Sequence, residues 1–292
     1  MKEPTSYFPY FVISQYNEDI SWLVDEDIIG TLFAKGVVPQ STGKLSVIDA
    51  ENIGGNQYDI IKFIYENYDD LPDIICFAQA NPFDHCEKGR FFEKVNLSNF
   101  ASLETYEYLP DRWGRRASRE IDGGFLERNT SWYIFDNNEH LLSNNVTLSC
   151  SFSSFDRFMS TLFIGYRPLP WLRFCPGSQY VVEKYRCTKY SKEFWYRLSR
   201  FFPEWTTRSQ LFPTESFMVE RVLWYVFSGV YKENPHCNLN PLSVDEVHQK
   251  HLEKRRAMKE RTLFDRATDF YRMPDRIELF KEKLKAKLFK HE

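Results

Sequence analysis

Residues 8–19 read FPYFVISQYNED, an apolar run rich in Phe, Val, Ile and Tyr that ends in polar side chains. Strands in the centre of a sheet have such continuous apolar runs, so we predict a strand at residues 8–16. The polar turn at residues 17–19 leads into a short helix that begins near Ile20, and Asn17 is its expected N-cap.

Two further apolar runs, at residues 28–34 and 73–79, are also typical of buried strands. Between them, apolar side chains from Tyr58 to Tyr68 recur with helical spacing, and Pro72 ends that helix. The order strand, helix, strand, helix, strand predicts an α/β domain with a mostly parallel central sheet flanked by helices. Ligands bind outside the carboxyl ends of the strands in such sheets, so polar residues at those ends are candidates for a site.

The rest of the chain extends this domain to about residue 240. Residues 86–170 are predicted to form short helices and loops. A helical, basic C-terminal extension follows at residues 241–292. The other predicted elements are a strand at 179–182 and helices at 189–201 and 215–228.

Charge is unevenly distributed along the 292 residues, whose net charge is −3. Residues 250–292 contain 14 Lys and Arg against 8 Asp and Glu, so the remainder is acidic. An acidic body argues against nucleic acid as the main partner, because phosphates require a broad basic face. Residues 276–290 place apolar side chains largely on one helical face and lysines on the other. Such a helix lies on a membrane surface or packs on its own domain, and both alternatives stay open.

The six cysteines show no C-x-x-C spacing, which argues against a thiolate zinc site. The first residues contain no apolar signal-peptide core, and no run of 18 apolar residues occurs. We therefore expect reduced thiols and a cytoplasmic protein, at most peripheral to the inner face of a membrane. Motifs of P-loop, dinucleotide-binding, serine-hydrolase and zinc-protease sites are absent from the sequence.

Three polar segments lie where the predicted sheet and its turns could contact a ligand. The first follows the opening strand and could bind a nucleotide base and ribose, or simply begin a helix. The second ends the strand at 73–79, and its Asp84 and His85 are alternative metal ligands. The third is a tight Pro-Gly turn that lets backbone approach a ligand. The candidate binding residues are Ser14, Gln15, Tyr16, Asn17, Glu18, Asp19, Gln79, Asn81, Ser178 and Gln179.

A fourth candidate is the helix at 215–228, which is apolar nearly all round and should be buried. Glu220 lies on the same stripe as Phe217 and Trp224, so burial should raise its pKa toward the range useful for a base. A buried ion pair is the structural alternative. Glu215 lies in the first turn, where the helix dipole stabilises a carboxylate and exposure is expected. Glu220 is the preferred catalytic base and Glu215 its competitor.

These segments together resemble an uncharacterised glycosyltransferase-like domain family of fungi and bacteria. The resemblance covers about residues 10–230 and consists of short motifs in the same order. The matching segments are VISQYNED at 12–19 with WL at 22–23, NIG at 52–54, NYDDLPD at 67–73, FAQ at 77–79 with Pro82 and His85, PGSQ at 176–179 and ERVLW at 220–224.

That family resembles nucleotide-sugar glycosyltransferases of the A-type fold and, distantly, the core-2 branching N-acetylglucosaminyltransferases, which use no metal. The resemblance implies sugar transfer from a nucleotide-sugar donor to a glycan or lipid-linked acceptor in surface polysaccharide or glycoconjugate synthesis. It implies an inverting reaction without a cofactor, and assigns Arg221 to the donor diphosphate. Asp84 and His85 would serve a metal-dependent alternative. A non-catalytic glycan- or partner-binding protein on the same fold is the second alternative.

Overall fold

The computed structural model of the protein describes residues 8–97, 100–103, 116–117, 123–129, 152, 155–202 and 214–239. Its strands are β1 (Tyr10–Gln15), β2 (Ile29–Ala34), β3 (Lys44–Asp49), β4 (Ile74–Gln79), β5 (Phe100–Ser102), β6 (Arg116–Ala117), β7 (Phe125–Arg128), β8 (Phe163–Ile164), β9 (Trp171–Phe174), β10 (Tyr180–Glu183) and β11 (Lys232–Glu233). Its helices are α1 (Ser21–Asp25), α2 (Gly55–Glu66), α3 (Lys88–Leu97), α4 (Phe155–Leu162), α5 (Lys184–Thr188), α6 (Lys192–Ser199) and α7 (Thr214–Ser228). Short 3₁₀ turns occupy Tyr68–Asp70, Pro82–Asp84 and Pro176–Ser178.

The main sheet has the strand order β3-β2-β1-β4-β10-β5. Strands β1 to β4 run parallel to one another, whereas β10 lies antiparallel to both of its neighbours. The fold is therefore α/β with a mostly parallel, mixed sheet. Smaller antiparallel sheets contain β6-β7-β9 and β8-β11.

Alternating side chains of the central strands form two hydrophobic cores. On one face, Val12 and Phe77 pack with buried residues of α2, α4, α6 and α7. On the other, Phe11 and Ile13 pack with Trp22 of α1 and with residues of α3. Because both faces are covered by helices, the sheet is the middle of three layers, and only its ends and edges meet the surface.

The chain changes direction across the sheet between β1 and β4. From β1 it proceeds outward through β2 and β3, and α2 then carries it back to β4 on the other side of β1. Ser14 lies opposite Gln79 in this pairing, and the Ala80 amide donates to the Ser14 carbonyl at 2.8 Å. Such a switch point opens a crevice at the carboxyl ends of the two strands, which is where ligands bind in sheets of this kind.

The structure confirms the predicted strands β1, β2, β4 and β10 and helices α2 and α7, within a few residues at their ends. It adds β3, which the sequence analysis did not predict. The segment 86–170, predicted as helices and loops, also contributes strands, among them β5, β7 and β8. The predicted helix at 189–201 is shorter and is preceded by the separate helix α5.

The predicted N-cap of α1 is wrong. Asn17 has a φ of 85° and accepts a hydrogen bond from the Val37 amide at 2.9 Å, so it shapes the loop after β2. Asp19 instead accepts hydrogen bonds from the amide and hydroxyl of Ser21, at 2.9 and 2.8 Å. The N-cap position is Ile20, and Asp19, which directly precedes it, provides the acceptor for the amide of the first helical residue, Ser21.

Helix α7 is buried, as its all-round apolar sequence predicts; Met218, Val222, Leu223 and Phe227 are fully inaccessible. Five cysteines lie within the described residues, and all five are buried. Among the described helices, none is both long and apolar enough to cross a bilayer. The C-terminal extension and its amphipathic segment 276–290 lie outside the described residues.

Candidate functional site

The Pro176–Ser178 turn lies beside the carboxyl end of β4 because of one buried side chain. Gln179 is completely inaccessible. Its Oε1 accepts from the Gln79 amide and its Nε2 donates to the Pro82 carbonyl, both at 3.4 Å. The second and third polar segments of the sequence analysis are thus joined into one surface at the switch point. Asn81 lies between these two contacts in the chain and is partly exposed.

Glycine is required at the centre of this turn. Gly177 has a φ of 73°, and a Cβ atom there would lie 3.2 Å from the His85 ring and 3.3 Å from Nε2 of Gln79. Ser178 also has a positive φ, of 51°, and its buried hydroxyl has no hydrogen-bond partner among the described residues. The turn therefore brings bare backbone against Gln79 and His85, as a Pro-Gly turn can.

Glu220 of α7 lies directly behind this turn. Its Oε1 accepts from the Gly177 amide at 2.9 Å, and its Oε2 accepts from Nη1 of Arg221 at 2.9 Å. The side chain is 14% exposed. Burial raises the pKa of Glu220, although Arg221 and the Gly177 amide act in the opposite direction. The expected raised pKa is therefore present, and so is the ion pair that was its structural alternative.

Arg221 is held between two carboxylates. Its Nε donates to Oε2 of Glu127 at 2.8 Å, and its guanidinium lies 4.4 Å from the centre of the Phe174 ring. Glu127 is 1% exposed and Arg221 is 6% exposed. The role of Arg221 as a ligand of the donor diphosphate stays a prediction. In the structure, its contacts fix the position of Glu220.

The expected exposure of Glu215 is wrong. Glu215 lies in the first turn of α7, as predicted, but it is completely inaccessible to solvent. The prediction assumed that a helix N-terminus lies at the surface, whereas the beginning of α7, including Ser216, is enclosed by the protein. Burial therefore does not favour Glu220, whose side chain is 14% exposed, over Glu215. The reason to prefer Glu220 is its contact with the Gly177 turn.

The end of β1 is bound to a buried ion pair. Ser14 Oγ donates to Asp59 at 2.5 Å, and Lys35 Nζ lies 2.8 Å from the same carboxylate oxygen. Lys35 and Asp59 are 3% and 1% exposed. Burial raises the pKa of Asp59 to about 6, while Lys35 and Ser14 lower it. The Ser14 hydroxyl is therefore hydrogen-bonded within this cluster, which connects β1 and the end of β2 to α2.

The loop after β1 is exposed, and several of its polar groups shape the loop itself. Gln15 Nε2 donates to the Glu18 carbonyl at 3.1 Å, and the Glu18 carboxylate accepts from the Tyr16 amide at 2.5 Å. Hydrogen bonding by Ser21 lowers the pKa of Asp19. Tyr16 is 50% exposed, so its ring is a large apolar surface of this loop at the carboxyl edge of the sheet.

The two alternative metal ligands differ in their exposure. Asp84 is exposed and His85 is partly buried beside Gly177. Across the described ranges, no three His, Cys, Asp or Glu side chains form a group that could hold a metal ion. Gln79, the last residue of β4, and Asn81, which follows the strand, offer amides in place of carboxylates.

Sequence reasoning did not identify Asn56, Asp59 or Glu127. Asn56 and Asp59 share a buried stripe of α2 with Ile60 and Phe63. A carboxylate on a buried stripe was the signal that selected Glu220, and it applies equally to Asp59. Glu127 gave no such signal, because its partner Arg221 is 94 residues away.

Comparisons of the chain with protein-family profiles, with curated proteins and with solved structures found no match.

Proposed function

We propose that the protein is a glycosyltransferase of the A-type fold, which transfers a sugar from a nucleotide-sugar donor to a glycan acceptor. The observation that carries the proposal is the position of Glu220. It is a largely buried carboxylate with a raised pKa, directly behind a glycine turn at the switch point of a mostly parallel sheet. The motif resemblance supplies the reaction class.

Glu220 acts as the general base in this proposal. It accepts the proton of the acceptor hydroxyl as that oxygen attacks the anomeric carbon of the donor sugar. The new carbon–oxygen bond forms as the bond to the diphosphate breaks, and the configuration inverts. Burial favours protonation of Glu220, while Arg221 and the Gly177 amide keep the carboxylate oriented.

The donor binds across the carboxyl ends of β1 and β4. The segment at residues 14–19, the end of β1 and the loop after it, contacts the base and ribose, with the exposed Tyr16 ring as its apolar surface. Gln79 and Asn81 donate amide hydrogens toward the phosphates. Amides at this position favour a metal-independent reaction, because Mg²⁺ and Mn²⁺ prefer carboxylate oxygens.

A thermal-shift screen of nucleotide sugars tests donor binding, since a ligand that binds only the native state raises Tm. The donor that raises Tm is then incubated with oligosaccharide and lipid-linked acceptors, and the glycosylated product is measured. Stabilisation with product formation supports the transferase. Stabilisation without turnover for any acceptor supports a non-catalytic binding protein, the alternative that the buried Glu220–Arg221 ion pair favours.

A further inference from the structure

Both backbone polar groups of Gly177 are held by side chains from other parts of the chain. Its amide donates to Glu220 at 2.9 Å, and its carbonyl accepts a hydrogen bond from Nδ2 of Asn56. Asn56 lies in the first turn of α2, 121 residues earlier in the chain, and is 7% exposed. If the buried Asn56 amide lost this acceptor, it would still carry the free-energy cost of its removal from water. The hydrogen bond therefore strongly constrains both partners.

The first turn of α2 is itself anchored. Lys35 Nζ donates to the Gly55 carbonyl at 2.5 Å while it pairs with Asp59 one turn further on. A Cβ atom on Gly54 would lie 2.2 Å from the Phe202 ring, so the helix start is packed tightly against that side chain. Asn56 therefore extends from a fixed position toward the Gly177 turn.

We propose that Asn56 is a positioning residue for Glu220 and acts through the backbone of Gly177. The N–H and the C=O of Gly177 belong to the two planar peptide groups on either side of its Cα atom. Because both groups are hydrogen-bonded, the φ and ψ angles between them are restrained, and with them the direction of the Gly177 amide. The two oxygens of Glu220 have separate partners: Arg221 holds Oε2, and the Gly177 amide holds Oε1. Asn56 therefore controls the contact between the Gly177 amide and Oε1 of Glu220. The inference rests on the proposed function for its catalytic meaning, but its structural part can be tested separately.

The structural test uses NMR on the full chain and needs no substrate. In the wild type we expect the Gly177 amide to be protected from hydrogen exchange and shifted downfield by its carboxylate acceptor. Asn56→Ala and the isosteric Asn56→Asp should accelerate this exchange by about tenfold or more, because the turn is released. The matched control is Asn67→Ala, which removes an amide-to-carbonyl bond to Phe63, of 2.9 Å, at the other end of α2. An unprotected Gly177 amide in the wild type, or equal exchange in all variants, overturns the inference.

The catalytic test separates kcat from KM. Asn56→Ala and Asn56→Asp should lower kcat by about 10- to 100-fold, with the KM for the donor nearly unchanged, because a misplaced base affects the transition state more than donor binding. Full kcat in these variants, alongside an inactive Glu220→Gln, overturns the positioning role and leaves the proposed function intact. A wild type that turns over no sugar refutes the proposed function, while the exchange data still decide whether Asn56 fixes the Gly177 turn.

Discussion

The backbone amide of Gly177 donates a hydrogen bond to Oε1 of Glu220 at 2.9 Å, although 43 residues separate the two in the chain. The contact joins the turn before β10 to the middle of α7. It gives a buried carboxylate one oriented donor on the side that faces the switch point of the sheet. Two features predicted separately from the sequence, a glycine turn and an acidic residue in an apolar helix, are thereby brought into direct contact.

Replacing Glu220 by Gln should abolish turnover while donor binding and the fold persist. The amide has nearly the same shape but cannot accept a proton, so kcat should fall by about 10²- to 10⁴-fold. Initial rates and donor titrations measure the two effects. Glu215→Gln is the matched control on the same helix, and its loss of activity at normal stability would transfer the role of base to Glu215.

Replacing Arg221 by Met should destabilise the protein strongly. The change leaves Glu127 and Glu220 buried without their cation, which costs about 3–5 kcal/mol of unfolding free energy in comparable cases. Urea unfolding measures the loss, and adding Glu127→Leu should recover part of it. The exposed pair Lys192–Asp69 provides the control, since Lys192→Met should have a much smaller effect. Equal losses in both single variants would contradict the assignment.

The Asp59 carboxyl should make stability fall as the pH rises from about 4 to about 6.5. Burial raises its folded-state pKa from 3.8 to about 6, so within this window the native state binds the proton more tightly than the unfolded state. The shift corresponds to roughly 3 kcal/mol across the window. Unfolding free energies of wild type and Asp59→Asn, measured at several pH values, test this. The difference between the two proteins should change over this range, and parallel curves would exclude the effect.

Replacing Gly177 by Ala should cost about 1–2 kcal/mol of unfolding free energy or more. The new Cβ meets the His85 ring, and the positive φ of 73° is unfavourable for a residue with a side chain. Gly89 in α3 is the matched control, because a Cβ there meets nothing within 4 Å. Gly89→Ala should be neutral or stabilising, by roughly 0.5–1 kcal/mol. Chemical denaturation of both variants decides, and a neutral Gly177→Ala would show that the turn tolerates a side chain.

Transferase activity should survive removal of divalent metal. The strand end that faces the donor phosphates in our proposal has the amides of Gln79 and Asn81, which are weak ligands for hard cations. Activity is compared before and after dialysis against a chelator. A complete loss that Mn²⁺ or Mg²⁺ restores would instead assign Asp84 and His85 to a metal site.

Continuous apolar runs made the central strands predictable, since β1, β2 and β4 are buried on both faces. Strand β3 was not predicted because it lies at the edge of the sheet. Leu45 is the one buried side chain of this strand, so its sequence lacks a continuous apolar run. The antiparallel orientation of β10 has no local signature either, because it depends on which strands it pairs with.

The burial of Glu220 followed from its stripe of apolar neighbours on α7, a periodicity that is visible in the sequence. Its partners did not follow, because the Asn56–Gly177 and Arg221–Glu127 contacts join residues 121 and 94 positions apart. For Glu215, the predicted exposure itself was wrong. A local rule for helix ends predicted exposure, and tertiary packing overrode it.

The antiparallel strand β10 also has a consequence for how the chain folds during synthesis. It covers the edge of β4, yet Gln79 and Gln179, at the ends of the two strands, are 100 residues apart. At a typical translation rate of about 5–20 residues per second, that edge stays open for roughly 5–20 s after β4 has left the ribosome. An open, apolar strand edge can pair with a strand of another chain, so aggregation of nascent protein is most favourable during this interval. Release of residues 180–183 from the ribosome closes the edge and, in the same step, brings Gly177 to its place beside β4.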